Sequence, residues 1–311
     1  MGFQVRKRFA GAVATLLISA TAALSGCTAT AASDRPTGQT ADRSGPATAT
    51  PGGTGGSGGT GGTGGSGGAG AGGAAAGGTA PDRAAAYRKW GLEPLAVPPA
   101  PPAAKPVRTP RSGAGRVPVI SEIPTDDKVV FLTIDDGAEK DPEFVAMMRE
   151  LDIPFTMFLT DSAISADYDY FKPLAALGNG VANHTLTHPD LRTLGASDQR
   201  REICGQQTRL AGKYGTTPRL FRPPYGNWNE DTRTAAGQCG IDAIVLWRES
   251  MQISDMQYQR ADRKLRPGDI VLAHFRGPAD LKGTSMTEMT ANLLRRVHEQ
   301  GFTIARLEDY V

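Results

Sequence analysis

From Val117 to Val311 the chain alternates short apolar runs with helical stretches, and this alternation restricts the fold more than any other feature. Val129-Val130-Phe131-Leu132-Thr133-Ile134 is apolar and β-branched, so it reads as a buried strand that stops at Asp135-Asp136-Gly137. A helical stretch over 142–151 leads to a strand at 155–159, and helix-like 170–178 leads to Gly180-Val181-Ala182-Asn183 and then His184. Four further pairs follow: helix 197–213 with strand 219–221, helix 231–239 with strand 241–247, helix 258–265 with strand 270–273, and helix 286–300 with strand 302–305. Parallel strands need crossover helices of this kind, so the pattern predicts a parallel α/β domain built around one substantial core. Polar motifs recur where the strands end, and open sheets and barrels of this class place their chemistry there.

The chain before Val117 has another character. Arg6, Lys7 and Arg8 precede an apolar stretch over 9–23 that is too short for a bilayer-spanning helix, and Leu24-Ser25-Gly26-Cys27 follows. These residues resemble the bacterial lipoprotein signal. That resemblance implies removal of 1–26, a lipid on Cys27 and a place on the outer face of the cell membrane. Residues 28–50 are rich in Ala, Thr and Ser, and 51–80 is dominated by Gly-Gly-Thr and Gly-Gly-Ser units, which bury little and are costly to order. Paired glycines and scarce proline exclude collagen. A short helix is expected over 82–90, then a proline-rich, solvated neck over 94–110 with Lys105, Arg108, Arg111 and Arg116 along it. The expected plan is therefore a signal at 1–26, a lipidated N-terminus and linker at 27–116, and a domain at 117–311.

The formal charge of +2 falls to −1 once the three leader cations are removed, which excludes the strong positive field of a nucleic-acid binder. Cys204 and Cys239 then form an even pair in an oxidising compartment. A disulfide between them is the expected state, with two buried thiols as the alternative.

The chain has four histidines. His184 and His188 stand four apart in His-Thr-Leu-Thr-His, a spacing that on a helical turn would put both rings on one face. Asp135 and Asp136 end an apolar strand, where two adjacent carboxylates are costly unless they meet a cation or exchange protons. An open catalytic metal site needs three protein ligands, and a carboxylate can complete the histidine pair. His298 lies in the middle of the terminal amphipathic stretch and reads as structural.

Four motifs in order make the domain resemble the NodB-homology polysaccharide deacetylases, carbohydrate esterase family 4. They are Thr133-Ile134-Asp135-Asp136-Gly137, His184 to His188, Arg222-Pro223-Pro224-Tyr225 and Leu272-Ala273-His274. The resemblance implies an α/β fold of the distorted (β/α) barrel type. It implies Asp136, His184 and His188 as ligands of a divalent metal, Zn²⁺ first with Co²⁺ or Mn²⁺ as alternatives. It makes Asp135 the general base and His274 the general acid, and gives the Tyr225 backbone N–H to the oxyanion. Arg222 would position an aspartate by a paired contact, while Tyr225, Trp228, Trp247 and Leu272 would line the sugar and acetyl pocket. Asn183 is a candidate support for the metal.

Two positions depart from the family pattern. Leu246 precedes Trp247 where the family usually has an Asp that orients the catalytic histidine, and Glu249 or Asp242 could substitute for it from nearby. Ala138 follows Asp-Asp-Gly where proline is common. The implied function is metal-dependent removal of N-acetyl groups from a cell-wall or chitin-like polysaccharide, peptidoglycan first, by a monomer. The alternatives are an O-acetyl esterase of the acetyl-xylan type and a catalytically weak wall-binding homologue.

Overall fold

The computed structural model describes residues 80–109 and 116–311; the leader, Cys27 and the glycine-rich segment lie outside the described residues. Helix α1 (Ala80–Lys89) comes first, followed by β1 (Val119–Ile120) and β2 (Val129–Asp136). Next are α2 (Pro142–Leu151), β3 (Thr156–Leu159), α3 (Asp161–Ile164), α4 (Phe171–Ala176), β4 (Gly180–Asn183) and α5 (Ala196–Tyr214). Then come β5 (Leu220–Phe221), α6 (Glu230–Gln238), β6 (Ala243–Val245), β7 (Glu249–Met251) and β8 (Met256–Tyr258). The series closes with β9 (Ile270–His274), α7 (Met286–Glu299) and β10 (Thr303–Ile304).

The strands form one sheet in the order β1-β6-β5-β4-β3-β2-β9-β7-β8, with β10 pairing the start of β2. Every pairing is parallel except β7 with β8. The result is an open, curled half-barrel, the distorted (β/α) barrel expected from the motifs. Strand β2 is buried along nearly its whole length because both faces are covered, which explains its unbroken apolar run. One face packs Val129 and Phe131 into an inner cluster with Phe158, Ala182 and Val245; the other packs Val130, Leu132 and Ile134 beneath the helices. Since the strands are parallel, the ends of β2, β4, β5 and β9 share one mouth.

Local signals fix several helix ends. Asp141 caps α2 by accepting from the Glu143 N–H at 2.9 Å, with Pro142 in the first turn. Asn229 and Thr232 form a reciprocal capping box at the start of α6.

Two stretches differ from the sequence reading. The helix expected over 258–265 does not form. Tyr258 ends the β7–β8 hairpin, Arg260 is drawn into ion pairs with Glu122, Glu249 and Asp269, and Arg263 has φ 53°. The neck is pinned at two points and otherwise largely exposed: Leu95 is buried in the helical core, beside Tyr87 and Leu92 from the residues before it, and Val107 joins the inner cluster with Val129, Phe131 and Tyr310. Lys105 donates to the carbonyls of Glu308 and Val311. Cys204 and Cys239 form a disulfide, tying α5 to the end of α6. No helix among the described residues is long and apolar enough to cross a membrane.

Candidate metal and catalytic site

Asp135 and Asp136 end β2 as adjacent residues, and adjacent strand residues normally point to opposite faces. Here the backbone turns left-handed at Asp136, with φ 72°, so the second carboxylate swings back toward the first. Such a φ costs a non-glycine residue of order 1–3 kcal/mol and is kept where the surroundings require it. Gly137 continues the turn at φ 94°, and a Cβ there would lie 2.4 Å from the Ile164 side chain. Lys140 locks the turn by donating to the carbonyls of Gly137, Ala138 and Ala163.

The histidine pair is also built from strained backbone, and not from the helical turn that its spacing suggested. Residues after β4 run as a loop with φ 74° at Thr185 and 59° at His188. Asn183 accepts from the Thr185 N–H at 2.9 Å, and Thr185 Oγ1 accepts from the His188 N–H at 3.0 Å. Glu202, buried on α5, accepts from both the N–H and the hydroxyl of Thr187 at 2.9 Å. The same helix contributes Gln207 to Asn183, and Gln206 to the Leu159 carbonyl at the end of β3. The two imidazoles thereby stand edge to face, 4.9 Å between centroids.

Asp136 Oδ1 lies 3.5 Å from His184 Nε2 and 3.3 Å from His188 Nε2. Three ligands held tetrahedrally at about 2.0–2.1 Å from a zinc-sized ion would sit about 3.3 Å apart, and the two aspartate–histidine separations match that, with all three ligand atoms within 4.8 Å of one another. Asp136 Oδ1 is buried and has no hydrogen-bond partner among the described residues, the state of an oxygen reserved for a cation. His184 directs Nδ1 to the Arg222 carbonyl at 2.6 Å, which leaves Nε2 facing the carboxylates. The donor set thus fits a divalent metal.

Electrostatics point the same way. Burial pushes the Asp136 carboxyl up, but the neighbouring His184 and His188 imidazoles outweigh it and hold its pKa well below the usual range. Burial pushes His184 down, yet the neighbouring Asp135 and Asp136 charges raise it overall. Negative charge gathered here attracts either a proton or a cation.

Asp135 is anchored differently. Arg222, wholly buried, donates to Asp135 Oδ1 at 2.6 Å, to Thr133 Oγ1 at 2.9 Å, and to the carbonyls of Val245 and Leu246 at 2.9 and 3.3 Å. Its guanidinium lies 4.3 Å from the Phe158 ring centre and 5.6 Å from that of Trp247. Asp135 Oδ2 remains free to face His184 Nε2 at 3.7 Å.

The β2–β9 register sets His274 beside Asp135. Burial pushes the His274 imidazole down, while Asp135 and Asp136 offset part of that. Neither expected substitute for the missing Asp reaches this ring. Glu249 is engaged with Arg260, and Asp242 with Arg219. Among the described residues no side chain hydrogen-bonds the His274 imidazole.

Tyr225 has φ 62° and is 63% exposed, its ring packs edge-on to His188 at 4.8 Å, and its N–H donates to no group among the described residues. Gly226 follows at φ 71°, where a Cβ would lie 3.0 Å from the Trp247 ring. Trp247 is half-buried against this turn, Leu272 is buried, and half-buried Trp228 stacks under Arg233 at 5.8 Å. His298 lies in α7, away from the cluster in sequence and element. Lys140, Glu202 and Gln206 were not singled out by sequence reasoning. Lys140 alone left a trace, as a lone cation three residues beyond the Asp-Asp-Gly turn.

Residues 122–244 match the family model described as polysaccharide deacetylase. A Streptomyces coelicolor protein of unassigned function is 42% identical over 225 residues, covering 71% of this chain and 89% of that one. A chitooligosaccharide deacetylase of Sinorhizobium fredii is 32% identical over 196 residues, covering 57% of this chain and 89% of the relative. Among solved structures, the family 4 carbohydrate esterase PdaA of Bacillus subtilis superposes with a TM-score of 0.51 at 19% identity, covering 69% of this chain and 98% of that one. A mutant of a family 4 pseudoenzyme superposes at 0.53 and 23% identity, covering 63% and 71%. At these identities the structural likeness speaks for the fold.

Proposed function

Because the chain belongs to the polysaccharide deacetylase family, we propose that it is a metal-dependent hydrolase that removes N-acetyl groups from a glycan of the cell wall or of chitin type. The observation that carries this reading is the convergence of buried, unpartnered Asp136 Oδ1 with two imidazole Nε2 atoms, beside an Asp135 locked by Arg222. Asp136, His184 and His188 would hold the ion, and a mixed nitrogen and oxygen donor set suits Zn²⁺ best, with Co²⁺ or Mn²⁺ able to replace it. When bound, a divalent cation there polarises the acetyl carbonyl and lowers the pKa of water.

The remaining steps belong to the chain. Asp135, fixed on one oxygen by Arg222, uses the other to accept the proton of the attacking water. The unspent Tyr225 N–H, aimed by a left-handed backbone, meets the negative charge developing on the carbonyl oxygen. His274 on the neighbouring strand gives a proton to the departing amine. Trp247 and Leu272 wall the acetyl pocket, and Tyr225 and Trp228 offer aromatic faces to the sugar. Within this reading, peptidoglycan is the substrate that suits a lipid-anchored domain on a long glycine-rich arm, and the working unit is a monomer.

The test is acetate release by the purified, metal-loaded protein from peptidoglycan, chitin oligomers and acetylated xylan, with Asp135→Asn as control. Release from N-acetylated glycans that disappears in the control supports the proposal. Release confined to xylan would instead establish an O-acetyl esterase, which a weaker general acid at His274 would tolerate. Metal binding with no release from any substrate would make it a binding protein.

A further inference from the structure

Two loops meet at the mouth. The one after β4 carries His188, a ligand of the proposed cation, and the one after β5 carries the Tyr225 N–H proposed for the oxyanion. An acetyl oxygen served by both needs them at a fixed separation, so the placement of one loop against the other matters to the reaction. Regular structure does not set it. His188 and Tyr225 are both left-handed, at φ 59° and 62°, a state that persists in a residue with a side chain only where neighbours hold it. The turn at Tyr225 closes on itself, with the Gly226 N–H donating to the Pro223 carbonyl at 3.0 Å and the Asn227 N–H to the Pro224 carbonyl at 3.1 Å. Those bonds shape the turn without tying it to the histidine loop.

A side-chain contact does that. Asn227 Nδ2 donates to Asp190 Oδ2 at 2.9 Å. Asp190 follows His188 by two residues and Asn227 follows Tyr225 by two, so the bond joins the same two loops as the ring contact between His188 and Tyr225. Among the described residues it is the one hydrogen bond between 185–193 and 223–228. Its acceptor end is anchored. Asp190 Oδ1 accepts from the Arg192 backbone N–H at 3.1 Å, and the Arg192 guanidinium donates to Oδ1 at 3.3 Å and to Oδ2 at 3.1 Å. The next residue, Leu191, is buried with Phe221 and Ile244. Both Asp190 and Asn227 are half-buried, and a carboxylate acceptor makes the bond a charge-assisted one.

We propose that Asn227 is a positioning residue for the hydrolysis: held by Asp190, it keeps the turn that carries the Tyr225 N–H in register with the loop that carries His188. This inference rests on reading the mouth as an N-deacetylase site, and it deepens that reading by naming what holds the oxyanion donor. The Tyr225 N–H meets charge that develops only in the transition state, so loosening the turn lowers kcat and spares KM. Cation affinity is spared too, because the histidine loop has its own supports in Asn183, Thr185 and Glu202.

The experiment uses metal-loaded wild type and four variants: Asn227→Ala, Asn227→Asp, and each of these combined with Asp190→Asn. Asn227→Ala removes the donor, and Asn227→Asp sets two carboxylates face to face. Adding Asp190→Asn to Asn227→Asp exchanges donor and acceptor, while the amide oxygen now at 190 still accepts from the Arg192 N–H. In both single variants kcat for acetate release from chitin oligomers or peptidoglycan should fall by about 10- to 100-fold, with KM and calorimetric cation affinity within about twofold of wild type. Asp190→Asn should restore Asn227→Asp and leave Asn227→Ala unrepaired. A loss carried by KM or by cation affinity, or the absence of that selective rescue, would overturn the assignment. Hydrogen exchange over 223–228 is followed in the same proteins without substrate. The amides at 226 and 227 should lose protection in the single variants and regain it only in the exchanged pair. If wild type releases acetate from neither glycan, the deacetylase reading fails by itself, and exchange decides the latch. Selective recovery of protection upholds it, and protection equal in all five proteins rejects it.

Discussion

Replacing Arg222 with methionine is the sharpest perturbation the site offers. The side chains of Arg222 and Asp135 are 0% and 3% exposed, so their pair lies wholly out of water. Removing one partner of such a pair leaves an uncompensated buried charge, which costs about 3–5 kcal/mol. The Val245 carbonyl and the Thr133 hydroxyl lose their donor as well, which keeps the value at the upper end of that range. For a domain of this size each kcal/mol lowers the melting temperature by about 2–4 °C, so a fall of roughly 6–20 °C is expected. Denaturant unfolding should be run with chelator present, so that metal binding does not add its own stabilisation. Adding Asp135→Asn to Arg222→Met should recover part of the loss, because the stranded charge is then gone. Two results would refute the reasoning: a loss below about 1 kcal/mol, or a double mutant additive to within about 0.5 kcal/mol, since residues in one network should couple.

Other outcomes are accessible to simple assays. Starting the chain at Val117 removes the cover provided by Tyr87, Leu92, Leu95 and Val107. At about 1.5–3 kcal/mol for each buried side chain, the gross loss rivals the whole stability of a domain, so the shortened protein should bind a hydrophobic dye and unfold without cooperativity. Cation binding should release protons, because Asp135 and Asp136 raise His184 and a histidine must be neutral to ligate; calorimetry in two buffers of different ionisation enthalpy should reveal them, with affinity falling as pH is lowered. Burial and the adjacent Asp269 push the Glu249 carboxyl up to about 8. The folded state therefore holds a proton that the unfolded chain has released, and stability should decline as pH rises from about 4.5 toward 8. Glu249→Gln should flatten that part of a melting-temperature profile.

The parts of this molecule that could be read in the sequence are those where chemistry and burial leave a local mark. Strand β2 declared itself because both its faces are covered, and the four motifs stand where parallel strands end. What supports the motifs was hidden. Helix α5 buries Gln199, Glu202, Gln206 and Gln207, a polar face that grips the His184–His188 loop and carries no apolar period. The segment from Tyr87 through the proline-rich neck buries Tyr87, Leu92, Leu95 and Val107 at irregular intervals, so nothing periodic separated it from a linker. The histidine spacing suggested a helical turn because spacing cannot reveal φ. The rings meet through left-handed residues held by Asn183 and Thr185.

Leu246 changes the balance of the reaction more than its size suggests. Its side chain packs beside the apolar cluster of Val117, Leu191, Phe221 and Ile244, so the position is built for a hydrocarbon and not for an absent carboxylate. His274 therefore works without an acidic partner of its own, and burial lowers its proton affinity, with Asp135 and Asp136 only partly offsetting that. A cation held by Asp136 would take up part of that offset. If His274 gives the proton to a departing amine, as proposed, its protonated form becomes scarcer as pH rises, while the ligand set loses its cation as pH falls and His184 takes a proton. The two titrations oppose each other and narrow the pH range in which an amide can be cleaved.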